Sequence, residues 1–385
     1  MLSTRRQFLT VAAAGAAALT TPRLAAAQTR PGDVLPTQGR KDAKSLPANT
    51  PSGADKWRPP TPRIGQGGAP AGNNFAPNTD ADIRGMLQAA WDGGMRLFDT
   101  SPWYGLGLSE RRFGQFLHER PREEYVLSTK IGRLLTATRT PPKTNWKQPS
   151  PFDYRYDYSA AGVRRSVEDS LQRLGLSHLD IVLVHDLSPD NGDMKERWTE
   201  YFEQARTGAF PELTKMHDEG LIKAWGLGVN TPQPALRTIE VADPDIFLLA
   251  CQYSLLDHDE ALRNTFPKLE ARGISVIVGS PLLAGYLAGR DRYLYGAQPV
   301  PADAADKRAK ALAAARKHGI DLRTAALQFA AAPTVVSAIV PGARNAAQAA
   351  ANVASMHVAI PAAFWEELRA QGVIAAQAPV PATRG

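Results

Sequence analysis

A single cysteine, Cys251, excludes any intrachain disulfide, so the 385-residue chain must hold together by packing alone, even in an oxidising compartment. Its neighbours Ile246, Phe247, Leu248, Leu249 and Ala250 read as a buried strand, where a cysteine is an inert small hydrophobe and not a reactive thiol. Histidines are few, and His178, His217, His258 and His318 show no metal-ligand spacing; Asp257, His258 and Asp259 read as the cap of a helix starting near Glu260. No metal is expected. No apolar run reaches the ~20 residues of a spanning helix, which argues against a stable membrane anchor. No stripe of Lys and Arg with interleaved aromatics points to nucleic acid, and no fixed-period repeat suggests a solenoid. What remains, at 43% hydrophobic and 22% charged residues, is an ordinary globular composition with enough apolar mass for a large core.

Acidic residues are absent from the first 27 positions, which carry Arg5, Arg6 and Arg23; of a net charge of +7 the remainder therefore holds +4, a weak basic bias. A basic start, an apolar Ala/Leu/Val stretch and the small residues Ala25, Ala26 and Ala27 give residues 1–27 the layout of a secretory signal. Thr4, Arg5, Arg6, Gln7, Phe8 and Leu9 resemble the twin-arginine export motif, which implies recognition by the twin-arginine machinery, passage in the folded state and a periplasmic location. Residues 28–61, rich in Pro, Gly, Thr and Lys without apolar periodicity, form a linker or a tail lying over the domain.

From residue 62 to 372, short apolar runs alternate with helical patterns, the rhythm of parallel βαβ units. The expected strands are Arg63–Gly67, Arg96–Thr100, Tyr125–Lys130, Asp180–His185, Ile222–Gly228, Ile246–Cys251, Ile274–Gly279 and Ser337–Val340. Eight of them point to an α/β fold, a closed (β/α)8 TIM barrel, with residues 373–385 as a C-terminal tail. Val163, Val167, Leu171 and Leu174 recur at helical spacing before a stop at Gly175, and a second helix covers about Asp80 to Trp91. Two stretches break the rhythm. Residues 132–158 and 284–305, the latter with Tyr286, Tyr293 and Tyr295, are loops that either shape a pocket on the catalytic face or decorate the surface.

Asp99, Lys130 and His185 each end a different apolar strand, where barrel active sites are built, and Tyr104 follows Asp99 by one short loop. Taken singly, Asp99 and Lys130 read as a buried staple and His185 as a satisfied core histidine; all four at matching strand ends read as a catalytic set. A tyrosine titrates near pH ~10 in water. Its use near neutrality calls for a nearby cation, which Lys130 supplies with Asp99 holding it.

The run Phe98, Asp99, Thr100, Ser101, Pro102, Trp103, Tyr104, Gly105, then Ser109 and Glu110, with the strand ends Ser128, Thr129, Lys130 and Leu183, Val184, His185, resembles the aldo-keto reductase family over about residues 62–370. Gly105, Leu106, Gly107 and Leu108, and the stretch from Leu171 to Gly175 leading into Asp180, are most similar to its sugar and pyridoxal dehydrogenase branch. The resemblance implies an NAD(P)-dependent oxidoreductase moving a hydride between nicotinamide and a small carbonyl, aldose or lactol, with Tyr104 as general acid or base, Asp99 and Lys130 tuning it and His185 orienting the substrate oxygen.

It further implies that Asn230 and Gln252 meet the nicotinamide amide, that Ser280 and Leu282 start the pyrophosphate loop, and that Gly342, Arg344, Gln348 and Asn352 hold the adenosine phosphate. Three departures stand out. Gly279 replaces a tyrosine that stacks on nicotinamide in many members, Gly342 a common lysine and Gln348 a usual arginine. NAD versus NADP stays open, with Arg344 favouring NADP. Gly65, Gly67 and Gly68 form no fingerprint opening into a helix, so a Rossmann domain is not expected. Trp103, Trp146, Tyr156 and Tyr286 are candidate pocket walls or plain packing. Two other readings are a cofactor-binding regulatory subunit on the same fold, at odds with an export signal, and a barrel hydrolase, which would want paired carboxylates.

Overall fold

The apolar runs become eight short parallel strands whose order around the sheet is their order along the chain. They are β1 (Gln66–Gly67), β2 (Leu97–Asp99), β3 (Val126–Ile131), β6 (Ile181–His185), β7 (Ala224–Val229), β8 (Ile246–Ala250), β9 (Ser275–Gly279) and β10 (Val336–Val340). The computed structural model describes residues 46–49, 55–295 and 299–382. The sheet closes where the first strand meets the last: Gly65 N donates to Ile339 O at 2.8 Å and Ile339 N to Arg63 O at 3.0 Å, with parallel bridges Ile64 to Ile339 and Gly67 to Gly342. The fold is a (β/α)8 barrel, and no helix among the described residues is long and apolar enough to cross a membrane.

Strand side chains alternate between two cores, as the period of two in a strand requires. Leu97, Val126, Ile181, Leu183, Ile246, Leu248, Ile277 and Ala338 fill the barrel interior, while Phe98, Leu127, Val182, Val184, Phe247, Val276 and Ile339 face the surrounding helices. Helix α1 (Asp80–Asp92) opens with a reciprocal cap between Thr79 and Asp82. Helix α2 (Leu108–Leu117) follows the Tyr104 loop. In α3 (Ala160–Leu174) the Ser159 side chain accepts from Gly162 N, and Gly175 ends the helix in the left-handed region at φ 66°.

The stretch 132–158, expected as a loop, contains an antiparallel hairpin of β4 (Arg133–Ala137) and β5 (Phe152–Tyr156), paired from Arg133 with Tyr156 to Ala137 with Phe152. A long connection of residues 138–151 joins its strands, so no tight-turn signature marks it in the sequence. Residues 284–305 begin with a 3-10 segment, Leu283–Ala288, and lead into the helix Ala302–Lys317. The expected helix after His258 begins at Asp259; His258 is buried, its Nδ1 3.0 Å from Ser254 O while its Nε2 accepts from Ala375 N.

Residues 46–49 and 55–62 lie across the amino ends of the strands. Lys56 N donates to Gly273 O, Ser275 Oγ to Trp57 O, the Arg58 guanidinium to Thr334 O, and Arg63 N to Pro47 O. Trp57 packs against the interior core. The proposed signal of residues 1–27 lies outside the described residues. At the far terminus Val373, Ile374 and Ala378 are buried, so the described part of the tail packs onto the barrel.

Candidate active site at the carboxyl mouth of the barrel

At the carboxyl end of the barrel, Lys130 Nζ donates to both Asp99 oxygens, at 2.8 and 2.9 Å, and to the Thr100 carbonyl at 2.8 Å. Ser128, two residues before Lys130 and on the same face of β3, donates to Asp99 Oδ1 at 2.7 Å. Three acceptors therefore engage the ammonium, which also lies 4.7 Å from the centre of the Tyr104 ring. The His185 ring stands edge-on to that of Tyr104, with centres 5.7 Å apart. The structure brings Asp99, Tyr104, Lys130 and His185 into one cluster.

The loop bearing Tyr104 is fixed by close backbone approach. A Cβ on Gly72 would fall 2.4 Å from Tyr104 C, and one on Gly105, which sits at φ 67°, 2.6 Å from Gly72 O. Only glycine meets glycine at this distance. Ser109 Oγ, donating to Gly68 O at 2.9 Å and 2.8 Å from Thr100 Oγ1, ties the loop to the first strand. Buried Glu110 accepts from Thr129 and Arg173, which anchors α2 behind the Lys130 strand.

Burial pushes the Tyr104 phenol well above its ordinary pKa, and the charge of Asp99 pushes the same way. The depression expected from Lys130 is not the outcome, because burial dominates and the Asp99 carboxylate that holds the ammonium adds to the rise. The Tyr104 phenol is therefore neutral at neutral pH. Burial and the Lys130 and Arg133 cations depress His185 well below the usual histidine range, so the imidazole is neutral too. Its Nδ1 lies 3.0 Å from Ser101 Oγ, which accepts from Trp103 N; its Nε2 lies 3.4 Å from Asp186 Oδ1.

Ser101, Ser128, Arg133 and Asp186 were not singled out from sequence as site residues. Ser128 was readable from its two-residue spacing to Lys130, and Asp186 from its place directly after His185. Arg133 lay in the unrecognised hairpin. It is buried, donates to Asp186 Oδ2 at 2.9 Å, and faces the rings of Trp103 at 4.4 Å and Tyr156 at 4.9 Å. Trp146 lies 5.7 Å from Tyr104 and 5.9 Å from Trp103, centre to centre, and its buried Nε1 has no partner. Trp103 and Trp146 thus border the Tyr104 cluster, and Tyr156 stands one layer out. Tyr286 does not join them: it is buried against Tyr293 and Arg308.

Two buried polar atoms suit a dinucleotide laid across the mouth. Gln252 donates to Val229 O while its Oε1 has no partner, and Asn352 Nδ2 is likewise unpartnered beyond the last strand. Asn230 reaches Asp190 Oδ2 at 3.0 Å. Ser280 follows β9 at φ 52°, and Leu282 is buried just before the 3-10 segment. Arg344 is engaged by Asn78 Oδ1 and by the carbonyls of Ala76 and Pro77, while Gln348 Oε1 accepts from Arg344 N.

The two glycine departures have steric causes. A Cβ at Gly342 would fall 2.9 Å from Pro70 Cγ, and one at Gly279 2.9 Å from Ala250 Cβ. No aromatic ring fits at position 279 as packed. Tyr295, 53% exposed, instead brings its hydroxyl to 3.9 Å from Cys251 Sγ at the end of β8. Burial pushes the Cys251 thiol up to about 11, consistent with an unreactive cysteine.

A profile of the Aldo/keto reductase family matches residues 63–372. The chain is 34% identical to the D-threo-aldose 1-dehydrogenase of a Pseudomonas species, over 80% of this chain and 93% of that protein. It is 36% identical to the pyridoxal 4-dehydrogenase of Microbacterium luteolum, over 81% and 94%. Among solved structures, an aldo-keto reductase of Bacillus halodurans in its holo form superposes with a TM-score of 0.60 at 22% identity, covering 87% of this chain and 98% of that one. That last likeness speaks to the fold.

Proposed function

This chain is an oxidoreductase of the aldo-keto reductase family, and from that premise we propose that it interconverts a small polar carbonyl compound, an aldose or its lactol in particular, with the corresponding reduced or oxidised form, using NADP or NAD. The observation that carries this reading is the Tyr104 phenol set between the Lys130–Asp99 pair and the His185 ring at the mouth of one barrel. The names of the two relatives above, one acting on an aldose and one on pyridoxal, support the substrate class.

Bound nicotinamide supplies or accepts the hydride at the substrate carbon. In reduction, neutral Tyr104 gives its phenolic proton to the carbonyl oxygen as negative charge grows there, and His185, held neutral by its surroundings, offers Nε2–H to the same oxygen. Ser101 on Nδ1 fixes the ring for that contact. Lys130 steadies the Tyr104 phenolate that proton donation leaves in reduction; in oxidation that phenolate takes the proton from the substrate hydroxyl and returns to the neutral phenol. Asn230 and Gln252 would hold the nicotinamide amide, and Arg344, Gln348 and Asn352 the adenosine end, with Arg344 favouring NADP. Arg5 and Arg6 support export through the twin-arginine route to the periplasm.

Tyr104→Phe tests the assignment. Turnover of aldehydes should fall by roughly 10²–10⁴ while quenching of protein fluorescence by the reduced cofactor stays as in the parent. Near-parental turnover by the folded variant would end the mechanism.

A further inference from the structure

Directly after His185, Asp186 sits in the left-handed region at φ 47°. That turn brings its carboxylate back toward the imidazole, with Oδ1 3.4 Å from His185 Nε2 and Oδ2 accepting from Arg133 at 2.9 Å. Unlike the sealed Asp99, whose side chain is 4% exposed, the Asp186 side chain keeps 20% of its surface open. Arg133 is closed off at 4%, pressed on the rings of Trp103 and Tyr156, and its Nε has no partner. Arg133–Asp186 is thus a second ion pair beside His185, separate from Lys130–Asp99.

An ionised carboxylate only accepts hydrogen bonds. A bare carbonyl oxygen has nothing to give it, and two acceptors side by side repel. A hydroxyl next to the reacting carbon has a proton to donate. Arg133 supplies a countercharge that limits the field of Asp186 on the oxygen where negative charge develops. The second pair therefore discriminates by hydroxylation beside the carbonyl.

We infer that Asp186, held by Arg133, is a specificity-determining residue that accepts a hydrogen bond from a hydroxyl beside the reacting carbon, and so selects α-hydroxy aldehydes and aldoses over plain aldehydes. The inference rests on the carbonyl-oxidoreductase reading above. A site built to bond a hydroxyl rejects an analogue lacking it because its own polar group is then left without a partner.

The test compares glyceraldehyde with propanal, equal in carbon count, in the parent and in Asp186→Asn, with the affinity for reduced cofactor followed by fluorescence. Asparagine tolerates the left-handed backbone. The parent should favour glyceraldehyde, and the variant should lose roughly ten- to a hundredfold in kcat/KM on glyceraldehyde, with propanal changed less than threefold and cofactor affinity intact. Because a lone buried Arg133 threatens folding, the double variant Arg133→Gln/Asp186→Asn is run alongside and should show the same selective loss. Equal losses on both aldehydes would mean that Asp186 only positions His185, and no loss on either would mean that it does nothing; each overturns the inference. A parent that reduces neither aldehyde would instead bring down the reading beneath it, and the inference with it.

Discussion

Replacing Asp99 with Asn keeps the side-chain shape and one acceptor but removes the charge that Lys130 Nζ contacts at 2.8 and 2.9 Å. Both side chains are sealed, at 1% and 4% exposure, so water cannot take the carboxylate's place. Breaking a buried pair by removing one member costs about 3–5 kcal/mol, because the other charge is left uncompensated. In a barrel of this size that corresponds to a fall in Tm of roughly 6–10 °C. Asp99→Asn/Lys130→Met removes both charges and should recover stability, giving a coupling of about 2 kcal/mol or more between the two sites in a double-mutant cycle of urea unfolding. Activity should not recover, since without the ammonium nothing steadies the Tyr104 phenolate. The argument fails if Asp99→Asn melts within about 1 °C of the parent, or if the two single losses simply add in the double variant.

Tyr104 is held neutral well past its ordinary pKa; as long as the pH stays below that raised value, the phenolate fraction, and with it kcat/KM for oxidation, should climb about tenfold per pH unit. A plateau beginning below pH 8 would contradict this. The depressed His185 stays neutral throughout, so the pH profile of reduction should show no histidine step between pH 5 and 8; a step removed by His185→Gln would refute that assignment. Arg344→Ala should raise the Kd for NADPH roughly tenfold and leave NADH unaffected, and equal effects on both would remove the NADP preference. Arg5→Lys with Arg6→Lys should retain the protein in the cytoplasm on cell fractionation, and an unchanged periplasmic fraction would exclude the twin-arginine route.

The barrel was legible because each of its strands is a short apolar run, and three members of the candidate site were legible because a charge or imidazole ends such a run: Asp99 after Leu97 and Phe98, Lys130 after the run from Tyr125, His185 after Val184. Strand ends moved by no more than a few residues, the ordinary uncertainty of fraying termini. Arg133 escaped notice because its hairpin partner is more than a dozen residues away across a Pro-rich connection, and pairing at that range leaves no local signature. The raised pKa of Tyr104 is illegible in the sequence for a related reason. Sequence places an ammonium and a carboxylate near the phenol, but the direction of its pKa change is set first by its burial, which only the folded site supplies. Gly342 and Gly279 look like lost functional side chains in the sequence, yet Pro70 and Ala250 leave neither position room for a Cβ.

Residues 46–49 and 55–62 cross the amino end of the barrel, where Trp57 packs against the interior core and Arg58 is laced to the turn before the last strand. Strands of about six residues put roughly 20 Å between that end and Tyr104. The described residues ahead of the first strand thus plug the barrel at the end away from the Tyr104 cluster, and its carboxyl mouth is left uncovered by them.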